Sequence, residues 1–394
     1  MKKVLFFCLM LLASYAAVAQ GVTTASIRGT VVDAKGEGLP GVNVVAIHVP
    51  TGTQYGTSTR VDGKYNLPNL RVGGPYTVMA SYIGFETQKL EGLSLVLGQV
   101  KDINFVLAEN VAALSEVEIT TNKQFNSDRT GAAEAFNTAE IAKLPTITRS
   151  ASDIFRLTPS SDGNSFGGRN DQYNSFSLDG SIFNNPFGLD AATPGGQTDA
   201  QPVSLDAIAQ IQVAVAPYDV TQSGFTGASV NAVTKSGSNK FSGTAFGFYR
   251  SDALTGSKVN GEEVFVPDLN QKQAGFSLGG PIMKDKLFFF ANMETEKRVD
   301  LGSSFVAGDG VIDGINESRV LESDLLAVQR ALRNVGYDPG AYQGYTHNTE
   351  NIKGIFKLDW NLSNDHTITA TYNFLDAFKQ KPAHPSAIGR RGPD

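Results

Sequence analysis

The residue types that usually carry catalysis are scattered along this chain, and none falls into a reactive spacing. The four histidines, His48, His347, His366 and His384, stand singly, with no His-x-x-x-His pair and no cysteine beside them, so no zinc site is expected. Cys8 is the only cysteine and lies in the N-terminal apolar run, which leaves the rest of the chain without disulfides or thiol chemistry. No Gly-x-Ser-x-Gly elbow and no Gly-x-x-x-x-Gly-Lys-Ser/Thr phosphate loop occurs. Glu262-Glu263 and the loop carboxylates read as solvated charge rather than as a paired acid and base. No enzyme, no cofactor and no metal is expected.

Composition narrows the class. A formal charge of −6 gives no basic footprint, so nucleic acid is not an expected partner. Forty-one glycines with 24 Phe and 12 Tyr point to β-structure with many turns. Beyond the N-terminus no run reaches the roughly 20 apolar residues of a membrane helix. A β-barrel stays open, because its strands carry a weaker hydropathy signal. Lys2 and Lys3, the apolar run Val4–Leu12 and Ala17-Val18-Ala19 before Gln20 have the three parts of an export signal, assigned to residues 1–19. The 394 residues then leave room for about two or three domains.

The elements follow in order. Residues 26–108 hold β-branched runs, SIRGTVVD and GVNVVAI, then TSTRVDGKYNLPNL and PYTVMASYIGFE, then VKDINFVLA. Gly/Pro punctuation and the Asp62-Gly63 turn between such short runs predict a small β-sandwich. Residues 109–123 form a linker. The stretch Tyr173–Lys235 comes next, prefaced by ASDIFRLTPS, whose Ile154 and Leu157 suggest a short helix stopped by Pro159. Tyr173, Ser175, Ser177 and Asp179 alternate with Asn174, Phe176, Leu178 and Gly180 up to a turn at Asp179-Gly180. Ser204 is placed to cap one helical turn that feeds a strand Ile211–Val215, and Phe225–Lys240 holds a further strand bounded by glycines.

From residue 239 the chain becomes long alternating strands. Ile352, Gly354, Phe356, Leu358, Trp360 and Leu362 fall on one face, with Asn351, Lys353, Ile355, Lys357, Asp359 and Asn361 on the other. Ile368, Ala370, Tyr372 and Phe374 likewise oppose Thr367, Thr369, Thr371 and Asn373. Period-two alternation over about ten residues suits a tilted membrane-spanning strand. With FSGTAFGFYR, Ala274–Met283 and LFFFANMETE, about five strands are expected. Short turns at Lys284–Lys286 and Ser363–Asp365 would be periplasmic, and the long connections Ser251–Lys272 and Val299–Glu350 would face outside. The second connection holds LESDLLAVQRALRN, with Leu321, Leu325, Val328 and Leu332 on one helical face.

Two resemblances attach to these residues. Ile-Arg-Gly-Thr-Val-Val-Asp, Gly-x-x-Leu-Pro-Gly-Val-Asn-Val, Asp-Gly-x-Tyr-x-Leu and Tyr-Ile-Gly-Phe-Glu resemble the carboxypeptidase regulatory-like domain, a transthyretin-like fold without peptidase chemistry. Gly-Gly-Arg with Asn-x-x-x-Leu-Asp-Gly, Ala-Ile-Ala-Gln-Ile-Gln-Val and Gly-Ala-Ser-Val-Asn-Ala-Val-Thr-Lys-Ser-Gly resemble the plug of TonB-dependent outer-membrane receptors. The plug motif residues are Asn174, Leu178, Asp179, Gly180, Val230, Asn231, Thr234 and Lys235. Two departures stand out: Val215-Ala216-Pro217 replaces an Arg-Gly-Pro, and the starch-utilisation signature gives way to Asn174–Gly180. The pattern is nearest the Oar-like subgroup, so a glycan is not implied.

The resemblance implies a mainly β chain: signal peptide (1–19), transthyretin-like sandwich (26–108), linker (109–123), mixed α+β plug (124–238) and the opening of an incomplete outer-membrane barrel (239–394). It also implies a TonB box in the linker, for which Glu116, Val117, Glu118, Ile119 and Thr120 are the candidates; an ordinary linker or first plug strand fits them equally. Its partners would be a TonB-type energy-coupling protein, outer-membrane lipid and an unidentified extracellular ligand, with a surface lipoprotein as a further candidate. Five strands cannot close a barrel of about 22. The chain, ending at Gly389–Asp394, is therefore expected to be the N-terminal part of a longer receptor in the outer membrane of a Gram-negative bacterium, with its first domain periplasmic. The alternative is a secreted or surface β-rich adhesion protein. Heat-modifiable mobility in the outer membrane would mark the barrel, and release into the medium the adhesin.

Overall fold

The computed structural model describes residues 22–109, 132–144, 146, 149–184, 193–215, 222, 224–311, 316–363 and 366–381. Residues 1–19, expected to be an export signal, and the TonB-box candidates 116–120 lie outside them.

The first body is a two-sheet sandwich. Its strands are β1 (Thr24–Asp33), β2 (Asn43–His48), β3 (Thr53–Ser58), β4 (Lys64–Arg71), β5 (Gly73–Ser81), β6 (Gln88–Leu95), β7 (Val100–Asp102) and β8 (Phe105–Leu107). One sheet runs β4-β1-β7 with β8 also on β1, and the other runs β3-β2-β5-β6. Inward residues Ile27, Val31, Val44, Tyr76, Leu95 and Phe105 fill the core at period two. The runs carrying β4 and β5 are neighbours in sequence and end in opposite sheets.

The central body is a five-stranded mixed sheet. It contains β9 (Ala132–Asn137), helices α1 (Thr138–Ile141) and α2 (Ala151–Phe155), the small hairpin β10 (Ser161–Asp162) and β11 (Ser165–Phe166), β12 (Ser175–Leu178), β13 (Ser181–Ile182), β14 (Ile208–Val215) and β15 (Ala228–Thr234). The sheet order is β13-β12-β15-β14-β9, with β12 parallel to β15. The expected helical turn forms over Leu205–Ala207 with the Ser204 hydroxyl accepting from the Asp206 amide, and β14 starts directly after it. Tyr173 departs from the expected alternation. It closes a 3₁₀ turn, Asp171–Tyr173, that the Asn170 side chain caps through Gln172 N–H, so pairing begins only at Ser175.

The third body holds β16 (Ser242–Ser251), a small hairpin β17 (Lys258–Val259) and β18 (Glu262–Glu263), β19 (Leu269–Met283), β20 (Leu287–Leu301), the loop strands β21 (Val306–Gly308) and β22 (Glu317–Leu321), helix α3 (Glu322–Asn334), β23 (Thr346–Asn361) and β24 (Thr367–Lys379). β16-β19-β20-β23-β24 form one antiparallel sheet, as the five-strand reading expected. β19, β20 and β23 reach further into the long connections than their apolar alternation showed, to lengths of 15, 15 and 16 residues. At about 3.3 Å per residue each spans about 50 Å, more than the hydrocarbon core requires.

The faces of this sheet are inverted relative to a soluble protein. Phe276, Phe356 and Trp360 on the outward face are 48%, 44% and 45% exposed, while Glu294 and Asp359 on the inward face are 1% exposed. Register stacks the outward residues into apolar rows, Leu278 beside Ala291, Phe356 and Tyr372 in one of them. The belt is bounded above by Lys272, Lys297 and Glu350, which share a row. Water would not favour this arrangement, whereas lipid requires it. Phe356→Arg, in mid-belt, is expected to cost about 2–4 kcal/mol and to deplete the protein from the membrane fraction, while Glu350→Gln at the rim leaves its yield unchanged. Equal membrane yields for the two variants would contradict a lipid-facing surface.

Candidate functional site

The eight motif residues converge on the seam between β12 and β15. Asn174 Oδ1 accepts from the Ala228 amide at 2.9 Å, and its Nδ2 donates to the Asn164 carbonyl at 2.7 Å, so it ties the beginnings of the two strands. Leu178 and Val230 lie in the central core, and Ser177 Oγ donates to Asn231 Oδ1 across the parallel pair. Asp179 and Gly180 have φ of +47° and +83°, the two left-handed positions of a tight hairpin turn. That turn aims the Asp179 carboxylate back at β15. Its Oδ1 accepts from Thr234 N–H at 2.9 Å and its Oδ2 from Thr234 Oγ1 at 2.6 Å. Lys235 lies 3.4 Å from Asp206 Oδ1.

The inward face of the five-stranded sheet meets this seam with charge. Lys357 Nζ donates to Thr234 Oγ1 at 3.1 Å and reaches Asp179 Oδ1 at 3.4 Å. Glu294 is held by Lys353 at 2.9 Å, by Gln273 Nε2 at 2.8 Å and by the Ser204 hydroxyl at 2.5 Å, the last from the central body. Glu294 and Lys353 stand directly opposite in the β20–β23 register. Thr244 Oγ1 donates to Asp206 at 2.6 Å. Burial is the largest single influence on Asp206 and pushes its carboxyl up. The Thr244 hydroxyl, Lys235 ammonium and Ser277 hydroxyl together outweigh it and hold the group below the usual carboxylate range. Phe290 and Ile355 of the wall join the central apolar core inside this ring of charge. The sequence placed Lys353 and Lys357 on the polar face, but Glu294, Ser204 and Asp206 went unread as anchors.

Above the seam a cavity of about 470 Å³ opens away from the short turns, lined among others by Arg149, Asn174, Glu296, Arg298, Asn351 and Lys379. Glu296 accepts from Gln271 Nε2 at 2.7 Å and Asn351 Nδ2 at 3.0 Å, and Arg149 stacks over Phe246 and Phe248. Its lining offers hydrogen-bonding groups and charges of both signs. Among the described residues no cluster of histidine and carboxylate that could hold a metal ion occurs.

Comparison with known proteins agrees with this geometry. A family model described as the carboxypeptidase regulatory-like domain matches residues 26–108, and one described as the outer membrane beta barrel domain matches residues 233–307. The chain carries a regulatory-like domain and outer-membrane barrel strands. The TonB-dependent transporter Oar of Myxococcus xanthus is 26% identical over 389 residues, covering 92% of this chain and 34% of its own length. The TonB-dependent receptor P39 of Formosa agariphila is 32% identical over 139 residues, 35% of this chain and 12% of its own length. Among solved structures, the ferric enterobactin receptor of Pseudomonas aeruginosa aligns over 64% of this chain and 34% of its own at 17% identity, with a TM-score of 0.42. The chain thus spans only a minor part of the curated relatives it matches, and these relatives are transporters and receptors rather than enzymes. Its barrel strands place it in the outer membrane of a Gram-negative bacterium.

One measurement tests the anchors and another the sandwich. Lys353→Met strands a buried Glu294 carboxylate and is expected to cost about 3–5 kcal/mol, read as an earlier denaturant midpoint in detergent, with much of the loss restored by Glu294→Gln in the same chain. In the regulatory-like domain, burial and then the nearby Arg71 charge pull His48 from 6.5 to about 3. The folded domain therefore keeps His48 neutral where the unfolded chain protonates it. Its stability contribution is complete above pH 6.5 and is lost as pH falls from 6.5 towards about 3. His48→Gln should flatten that limb of the stability profile by up to about 1.4 kcal/mol per pH unit.

Proposed function

We propose that this chain forms part of a TonB-dependent outer-membrane receptor, in which the central sheet is the plug, residues 124–238, and β16, β19, β20, β23 and β24 are the first strands of the barrel that encloses it. The observation that carries this reading is the inverted five-stranded sheet. On its polar inner face Glu294, paired with Lys353 of the same sheet, is met by Ser204 of the central body and Lys357 by Thr234 and Asp179, and its outer face is apolar. A lumen-filling body held to the wall by hydrogen-bonded charge can be shifted by exchanging those bonds for water, which is what energised uptake demands of a plug.

In this reading a ligand is captured by the outer loops and the upper cavity, where Glu296, Arg298 and Asn351 offer both signs of charge and an amide. The linker before β9 carries the TonB box, Glu116–Thr120, which adds as a strand to a TonB-type protein through main-chain hydrogen bonds. The sandwich touches the Asp285 turn and Asn361, the end of the sheet with the short connections, and so lies on the periplasmic side. Proline at both Val117 and Ile119 removes two main-chain donors and is expected to abolish capture by an immobilised TonB periplasmic domain, while membrane yield stays unchanged. Undiminished capture would remove the linker from the coupling role.

A further inference from the structure

Below the central sheet lies a cleft of about 920 Å³ walled by all three bodies, among them His48, Tyr55 and Arg71 of the sandwich, Thr234 and Ser236 after the seam, and Thr369 of the barrel wall. We propose that the sandwich is a removable wall of this cleft, and that its release opens the lumen at the short-turn end. This rests on the reading of the central sheet as a plug.

The contact is specific. Leu97 N–H donates to Gln210 Oε1 at 2.8 Å, Gln210 Nε2 returns to the Leu95 carbonyl at 3.2 Å, and Gln212 Nε2 reaches the Leu97 carbonyl at 3.3 Å. Arg71 pairs with Asp359 of the barrel wall at 2.9 Å, and Asn361 Nδ2 donates to Thr53 Oγ1 at 2.9 Å. Two left-handed glycines allow the close approach. A Cβ on Gly98, at φ +67°, would lie 2.7 Å from Gln212 Nε2, and one on Gly52, at φ +68°, would lie 2.4 Å from Asp285 Oδ1.

The contact is also built to part. The sandwich and the central body keep separate apolar cores, and of the central residues only Val233 belongs to the sandwich core. Separation therefore leaves each core closed, as expected of an inter-domain contact that opens and shuts. Docking leaves Gln212 Oε1 and Asp359 Oδ2 buried without a partner, and water would satisfy both on release. Asp359 is 1% exposed and lines the cleft, so the departure of Arg71 hydrates the carboxylate rather than stranding it.

The test uses the whole receptor, freed of any cysteine elsewhere; within these 394 residues the sole cysteine, Cys8, lies in the segment read as an export signal. A Ser236→Cys variant reports entry to the cleft through its rate of labelling by a bulky polyethylene-glycol maleimide supplied from the periplasmic side. Adding Arg71→Ala and Gln210→Ala should speed labelling by at least about tenfold, the ratio that one lost charge-assisted hydrogen bond supports. A Gly52→Cys/Asp285→Cys pair, whose Cβ atoms would stand 3.5 Å apart, within disulfide reach, should suppress labelling at residue 236, read by peptide mapping of that position alone, when oxidised and restore it there on reduction. Equal rates in the parent, the undocked variant and the oxidised pair would overturn the removable wall. In living cells, labelling of Ser236→Cys should fall when a protonophore collapses the membrane potential. If docking controls the rate but energisation does not, the wall stands and the plug reading fails.

Discussion

A sheet that separates lipid from a polar lumen has to be built inside out, and this constraint governs the rest of the molecule. Lipid offers no hydrogen bonds, so the outward positions of β19, β20, β23 and β24 are restricted to residues such as Phe276, Met293, Phe356 and Tyr372. Strand alternation then delivers every second side chain to the other face, where apolar residues are not obligatory. The inner face can carry Glu294 and Lys357 only because something polar meets them.

That something is the central body, and its composition follows from the same demand. Its strands β14 and β15 are buried on both faces, yet β14 alternates Ile211 and Val213 with Gln210 and Gln212, and β15 alternates Val230 and Ala232 with Ser229 and Asn231. One face packs the apolar core. The other meets the sandwich through the Gln210 and Gln212 amides, while Ser229 and Asn231 bond within the body. Desolvating a charge pair costs several kcal/mol per ion, and the multiple donors on Glu294 are what make its burial tolerable. Contacts of this kind define position closely while remaining exchangeable, unlike interdigitated apolar side chains.

What could be read in the sequence was whatever repeats locally. The Asp179-Gly180 turn, the Ser204 cap, the five alternating strands and the short turns between them need only a few consecutive residues. The outer ends of β19 and β23 escaped notice because Leu269–Gln273 and Thr346–Glu350 lie above the apolar belt, where both faces meet polar surroundings and alternation disappears. The anchors escaped for a different reason. Glu294 and Lys353 are opposite one another only once register across the long connection is fixed, and no local pattern sets it. The polar residues at every second position of β14 were the available signal. A strand whose buried face is amide has another protein surface against it.

The sequence separations also distinguish the near contacts of Asp179 from the remote one. Asp179 finds Thr234 across 55 residues, and the seam needs nothing beyond Lys235 to be complete. Lys357 reaches the same aspartate across 178 residues, after its carboxylate already has two donors from Thr234. The central body is thus sutured by its own residues, and the wall adds a third donor to a site already satisfied. Its turn and seam are its own, while Phe290 and Ile355 of the wall complete its apolar core. Lys357 and Glu294 therefore grip a sheet whose own residues already set its turn and register, and the charged contacts add position rather than shape.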